Sequence, residues 1–254
     1  MLKILEVVVL LCISVQIHRD VFFMDALEFK NKIQKIDQIY RSISLYSPSV
    51  THFPTHASVF LLATSPFKDG YKIVELGSGI GHVCLALSKL VENSLIYGIE
   101  VQKELYLASL KNKQNNYSKN VEFYNLDVKD IKSFFSSEYA DLVISNPPHY
   151  FDGLKSDKKD RRVARSADNL NVMEEFIYAA KYLLKNKRLG CFVIHPSILS
   201  DVFIILEKNN LEPQHMYIGY GNKNKDAQLI SLIFRKNGGR NFVIHPPIFF
   251  NNFK

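Results

Sequence analysis

Apolar residues first follow a helical rhythm along this chain, then switch to short runs. Over residues 25–43, Leu27, Ile33, Ile36, Ile39, Tyr40 and Ile43 fall at helical spacing and predict an amphipathic helix. Pro48 and Pro54 punctuate a loop, and residues 57–64 (ASVFLLAT) read as a short buried helix. From Tyr71 onward, brief apolar runs alternate with helical stretches. Strands are predicted at 71–76, 95–100, 121–126 and 140–145, with helices near 81–91, 102–114 and 128–135. A charged loop is expected over 152–170. Next come a helix near 171–187, a strand at 189–194, a helix near 198–209 and strands near 213–219 and 228–235. The predicted fold is therefore α/β, a doubly wound, mostly parallel seven-stranded sheet covered on both faces. The last two strands flank a polar GYGNKNKDA segment and suit an antiparallel hairpin at the sheet edge.

Composition narrows the function classes. A chain of 254 residues that is 47% hydrophobic can build one substantial core, and a formal charge of +7 favours an anionic partner, nucleic acid before membrane. Cys12, Cys84 and Cys191 are scattered, odd in number and form no C-x-x-C, which points to reduced thiols and a cytoplasmic setting. His52 and His56 stand four apart, but Pro54 between them breaks the helix that would pair them, so no metal site is expected. Residues 4–17 are strongly apolar, yet Glu6 interrupts them, no small-residue cleavage site lies beyond, and the stretch is too short to span a bilayer. Residues 1–23 are thus expected to be an N-terminal extension, or sequence upstream of a start at Met24, with no membrane partner and a monomeric protein.

The chemistry begins at residues 73–81, IVELGSGIG, a strand running into a glycine turn and then a helix. Gly77, Gly79 and Gly81 let backbone approach a ligand where a Cβ would clash. Glu75 lies two residues before the first glycine; a carboxylate there suits a sulfonium and an amino group and would repel a pyrophosphate. The pattern resembles the E/D-x-G-x-G-x-G signature of S-adenosylmethionine-dependent methyltransferases. Glu100 ends the second strand, where an acid can accept from both ribose hydroxyls. Asp127 ends the third, and the resemblance places an acid there toward the adenine amino group. Taken singly, each acid reads first as a surface or capping residue; the three together at successive strand ends point to the cofactor.

The fourth strand ends in Asn146-Pro147-Pro148-His149-Tyr150. Consecutive prolines cannot donate to a ladder, so they close the strand and stiffen the backbone beyond it. This run resembles the N/D-P-P-Y/F/W motif of methyltransferases acting on exocyclic or amide nitrogens. The Asn146 side-chain oxygen and the Pro147 carbonyl can each accept a hydrogen from an amino group, and Asn146 also borders the cofactor. His149 stands where that family usually has Tyr, Phe or Trp; His149 or Tyr150 is expected to stack on the base. Beyond the motif, Lys155, Lys158, Lys159, Arg161, Arg162 and Arg165 face only Asp157 and Asp160, and read as phosphate contacts or as a solvated charged segment.

NPPHYF, AAKYLLKNKRLG, CFVIHPSILSD and the later LEPQHMYIGYGNKNKDAQLISLIFRK, with ASVFLLA upstream, resemble the bacterial valine-tRNA adenine-N6 methyltransferase family over residues 53–250. Ser58 departs from it, standing where an aspartate is expected. The resemblance implies a Rossmann-like methyltransferase domain at 65–250 after a helical lead-in at 24–64, S-adenosylmethionine as cofactor and tRNA as substrate. The alternatives are a protein glutamine N5-methyltransferase, which uses the same amide device, and an inactive RNA-binding protein of the same fold.

Overall fold

The structure is a computed structural model and describes residues 26–148 and 159–250. Helix α1 (Ala26–Ser42) and helix α2 (His56–Thr64) precede an alternating series. Strand β1 (Lys72–Leu76) leads to α3 (His82–Leu90), β2 (Leu95–Glu100) to α4 (Lys103–Asn115), and β3 (Val121–Asn125) to a 3-10 turn at Val128–Ser133. Then come β4 (Ala140–Ser145), α5 (Lys159–Leu183), β5 (Leu184–Ile194), α6 (Leu199–Lys208), β6 (Leu211–Tyr220) and β7 (Ala227–Lys236). Two short strands, β8 (Val243–Ile244) and β9 (Ile248–Phe249), finish the order.

The sheet runs β3-β2-β1-β4-β5-β7-β6-β8, with β9 also on β6. The first five strands are mutually parallel; β7 is antiparallel to β5 and β6. The closing hairpin inserts β7 against β5, so the hairpin is not the outer edge: β8 and β9 flank β6 in parallel. Apolar strand residues alternate between two cores. Val74, Leu76, Val143, Phe192 and Phe234 pack with α5 and α6 on one face; Ile73, Ile96, Leu142, Ile144 and Val193 pack with α1, α2 and α3 on the other. Burial on both faces explains why these strands read as continuous apolar runs rather than half-polar ones.

Two expected elements differ. The charged segment expected as a loop is helical from residue 159, because α5 runs 25 residues and ends at Leu183. Residues 159–170 contain neither Pro nor Gly, and half of them are Arg, Ala or Lys, all good helix formers. At its other end the helix stops earlier than expected, since Leu184 already pairs with Ala140 before a register shift around Lys187, which sits at φ 63°. The helix expected near 128–135 is the shorter 3-10 turn.

Register brings the carboxyl ends of the strands together. Leu76 lies opposite Ile99 on one side and Ser145 on the other, and Glu100 lies opposite Asn125. Below them the Phe123 ring leaves no room for a side chain at Gly98: a Cβ there would stand 2.5 Å from Phe123 Cδ1 and 2.8 Å from Ser78 Oγ. Gly98→Ala should therefore destabilise the fold by about 1–3 kcal/mol through overpacking. In urea denaturation, Phe123→Leu should make the double variant less than additive with the two single changes; strict additivity would refute the close packing.

Candidate active site

The turn after β1 is pinned from beneath. The N–H groups of Gly77 and Ser78 both donate to the Ile99 carbonyl at 2.9 Å, and the Gly81 N–H donates to the Ser78 carbonyl at 2.9 Å. Gly77, Gly79 and Gly81 have φ of 72°, 55° and 81°, in the left-handed region that only glycine enters freely. Gly81 is additionally sealed by Phe123, 2.4 Å from where its Cβ would stand, whereas a Cβ at Gly79 would meet nothing within 4 Å. The turn is closed toward the sheet and open at Gly79.

Glu100 is fastened at the edge of this opening. One carboxylate oxygen accepts from the Gly79 N–H and the other from the Gln102 N–H, each at 2.8 Å. Each oxygen keeps acceptor capacity for a further partner. The Asn125 amide donates to the Glu100 and Val101 carbonyls at 2.9 and 3.0 Å and holds the strand end in place. Asp127 caps the 3-10 turn, accepting from the Lys129 N–H at 3.0 Å, so one of its oxygens is engaged in the capping role.

Glu75 is turned inward rather than offered at the opening. It is 3% exposed and accepts from the Cys84 thiol at 2.9 Å. Burial pushes its carboxyl up to about 8, opposed by the Cys84 hydrogen bond and reinforced by Glu100. Burial and then the neighbouring Glu75 raise the Cys84 thiol, which therefore stays protonated and donates. Glu75 thus supports the turn as a neutral acid at pH 7.

At the end of β4, the Ser145 hydroxyl donates to the Leu76 carbonyl at 2.7 Å, tying the two strand ends together. Asn146 comes at once after it, half-buried, with its Oδ1 wholly buried and without a hydrogen-bond partner; Ser78 Oγ is in the same condition. Pro147 is buried and Pro148 exposed, and no peptide bond among the described residues is cis. His149, Tyr150, Lys155 and Lys158 lie outside the described residues. Lys159, Arg161, Arg162 and Arg165 lie on the first turns of α5, whose side chains there are outside them too. No group of three or more His, Cys, Asp or Glu among the described residues could hold a metal, and no described helix is long and apolar enough to cross a membrane.

Several contributors escaped the sequence reading. Asn112, wholly buried on α4, donates to the Ile80 and Tyr46 carbonyls at 3.0 and 2.9 Å and accepts from the Tyr46 N–H at 2.7 Å, lashing residues 44–47 to the glycine turn. A lone amide in the apolar stripe Leu105-Ala108-Ser109-Asn112 was its signal. Gly98, isolated inside a strand pattern, was the signal for the close packing on Phe123.

A doubly wound sheet with a glycine turn after its first strand and an acid at the end of its second belongs to the α/β proteins that hold ligands at the carboxyl ends of their strands. Residues 67–225 match the family described as methyltransferase domain, and the chain belongs to that family. Among its relatives, the tRNA1(Val) (adenine(37)-N6)-methyltransferase of Pseudoalteromonas translucida is 28% identical over 60% of this chain and 63% of its own length. The protein of the same name from Christiangramia forsetii is 28% identical over 65% of this chain and 70% of its own. The match therefore spans somewhat under two thirds of the first of these relatives. In structure, a SAM dependent methyltransferase from Aquifex aeolicus superposes with a TM-score of 0.52 at 18% identity, over 79% of this chain and 98% of that one.

The position of Glu75 yields a pH signature. A carboxyl whose folded value is raised from 4.5 to about 8 gives relative stability that is fully present below 4.5 and lost as pH rises through 8. Glu75→Gln keeps an acceptor for Cys84 and removes the titration. Urea denaturation across this range should show wild type losing stability relative to the variant as pH rises; parallel curves would place Glu75 in contact with water.

Proposed function

We propose that this protein is an S-adenosylmethionine-dependent methyltransferase acting on the exocyclic N6 of an adenine in RNA, specifically in the anticodon loop of a valine tRNA. The observation that carries the reading is Asn146 Oδ1: a buried amide oxygen with no partner, one residue beyond the Ser145–Leu76 tie that joins β4 to the glycine turn. An unpaired buried acceptor costs about 1–3 kcal/mol, and a substrate N–H would satisfy it. The names of the relatives and the +7 charge support the choice of RNA.

The cofactor, when bound, supplies an electrophilic methyl group on a sulfonium. The residues fit it: the turn is open at Gly79, and Glu100 presents a fixed carboxylate beside that opening to accept from ribose hydroxyls. Asp127 would accept from the adenine amino group of the cofactor with the oxygen not used in its cap.

The chain's own contribution to the chemistry is to orient a poor nucleophile. An aromatic amine delocalises its lone pair into the ring. Asn146 Oδ1 and the Pro147 carbonyl accept its two hydrogens, turn the nitrogen lone pair out of the ring plane and favour a tetrahedral nitrogen. The two prolines hold both acceptors ready, so little reorganisation is needed. No strong base is required, because the amino proton becomes acidic only as the new N–C bond forms. His149 or Tyr150 stacks on the target adenine, which must leave its own stack to reach the site. Lys158, Lys159, Arg161, Arg162 and Arg165 contact phosphates beside it. The protein acts as a monomer in the cytoplasm.

Incubation with total tRNA and labelled S-adenosylmethionine should yield N6-methyladenosine on nucleoside analysis. Label confined to protein would favour the glutamine reading, and no label would refute catalysis. Asn146→Ala should lower kcat by about 2–4 kcal/mol of transition-state stabilisation while leaving cofactor affinity nearly unchanged. A large loss of cofactor binding would assign Asn146 a different role.

A further inference from the structure

A basic cavity lies at the end of the sheet opposite the glycine turn. It measures about 180 Å³ and is lined by Lys68, Lys187, Arg188 and Arg235 against a single acid, Asp141. Tyr71 and Asp141 place it at the amino ends of β1 and β4. The five residues of β1, Lys72–Leu76, put about 16 Å of strand between the cavity and the glycine turn. It is therefore separate from the proposed active site.

Arg235 is the lining residue that packing explains least. Ile73, Leu142, Leu189 and Arg235 are register partners across β1, β4, β5 and β7, so the arginine continues an apolar row on one face of the sheet. It is half-buried, its Nε is buried without a hydrogen-bond partner, and among the described residues no ion pair holds its guanidinium. Glu212 stands opposite it on β6 but does not line the cavity. An orphaned donor works against folding, and an apolar side chain would fill the row without that cost.

The other cations are set in position. Asp141 Oδ1 accepts from Lys185 Nζ at 2.8 Å and lies 3.3 Å from Arg188 Nη2, while Oδ2 accepts from the Lys72 N–H at 3.1 Å. Arg188 also donates to the Tyr71 hydroxyl at 3.1 Å and lies over that ring, 5.1 Å from its centroid. The one acid is thus committed to its neighbours and serves to orient Arg188. Lys187 holds a left-handed backbone, φ 63°, and donates one ammonium hydrogen to the Asn237 carbonyl, which leaves two for a ligand.

We infer that this cavity binds a phosphate group, with Arg235, Lys187 and Lys68 as its principal contacts. Phosphate oxygens accept from several donors at once, and a guanidinium–phosphate pair would complete the orphaned Arg235 Nε. Two sources share this chemistry: the backbone of an RNA, or free phosphate. The inference does not depend on methyl transfer.

Thermal unfolding of the full chain in inorganic phosphate, against chloride at equal ionic strength, reads the site directly. Wild type should gain stability that saturates with phosphate. Arg235→Met, Lys187→Gly and Lys68→Met should each weaken the apparent phosphate affinity by about tenfold, and Lys68 is exposed, so its replacement leaves the sheet untouched. Without phosphate, Arg235→Met should be at least as stable as wild type, because the Nε it removes has no partner. Lys187→Gly should be too, because glycine enters the left-handed region freely. Filter binding of total tRNA separates the sources. Variants that bind RNA more weakly, with a flatter salt dependence, would assign the phosphate to the RNA backbone. Unchanged RNA binding with a lost phosphate response would assign free phosphate. A phosphate response that is absent from wild type, or equal in wild type and variants, together with unchanged RNA binding, would overturn the inference.

Discussion

One carbonyl holds the site in place. Ile99 C=O accepts from both Gly77 and Ser78, and this shared bond fixes the exit of β1 against the end of β2. From that point the turn rises through three left-handed glycines, and the Phe123 ring fills the space beneath Gly81 and Gly98. A side chain at Gly81 would meet both a strained backbone and that ring, so the position is constrained twice. Glu100 then closes the outer side by accepting from Gly79, and Ser145 closes the other by donating to Leu76. Everything proposed about the chemistry depends on these strand ends meeting in register.

Around this frame the molecule keeps polar atoms in places where a protein built only for stability would not. Asn146 Oδ1, Ser78 Oγ, His82 Nδ1 and the Tyr40 hydroxyl are buried without partners, and Glu75 is buried deeply enough to hold its proton near neutrality. Elsewhere many buried polar groups are matched, although Ser65 Oγ and Arg235 Nε also lack partners. Thr64, for example, donates to Phe60 and sits 2.7 Å from Ser231 Oγ, and Asn112 satisfies three backbone groups. Four of the six buried atoms without partners among the described residues thus belong to Tyr40, Ser78, His82 and Asn146, and unsatisfied buried atoms are the kind a ligand can complete.

Much of the fold was legible because its strands are buried on both faces and its helices carry regular apolar stripes, signals that survive without knowledge of neighbours. Strand β4 was read at its observed limits, and β1, β2 and α3 to within a residue. The glycine spacing and the Asn146-Pro147-Pro148 run were equally plain, because backbone conformations forbidden to other residues leave their mark on composition. The start of α5 was misjudged because dense charge reads as loop, although lysine, arginine and alanine are good helix formers.

Residue order alone determined the alternating architecture, the glycine turn, the acids at successive strand ends and the rigid amide after β4, since each is imposed by local backbone geometry or by periodic burial. Tertiary structure decided what those residues meet: that Glu75 turns inward to Cys84 and keeps a proton, that Asp127 caps a turn, that β7 slips between β5 and β6, and that Tyr40 and Ser58 reach His82 from helices far back along the chain. Such contacts join segments tens of residues apart, and desolvation depends on everything packed around a group, so no local pattern encodes them.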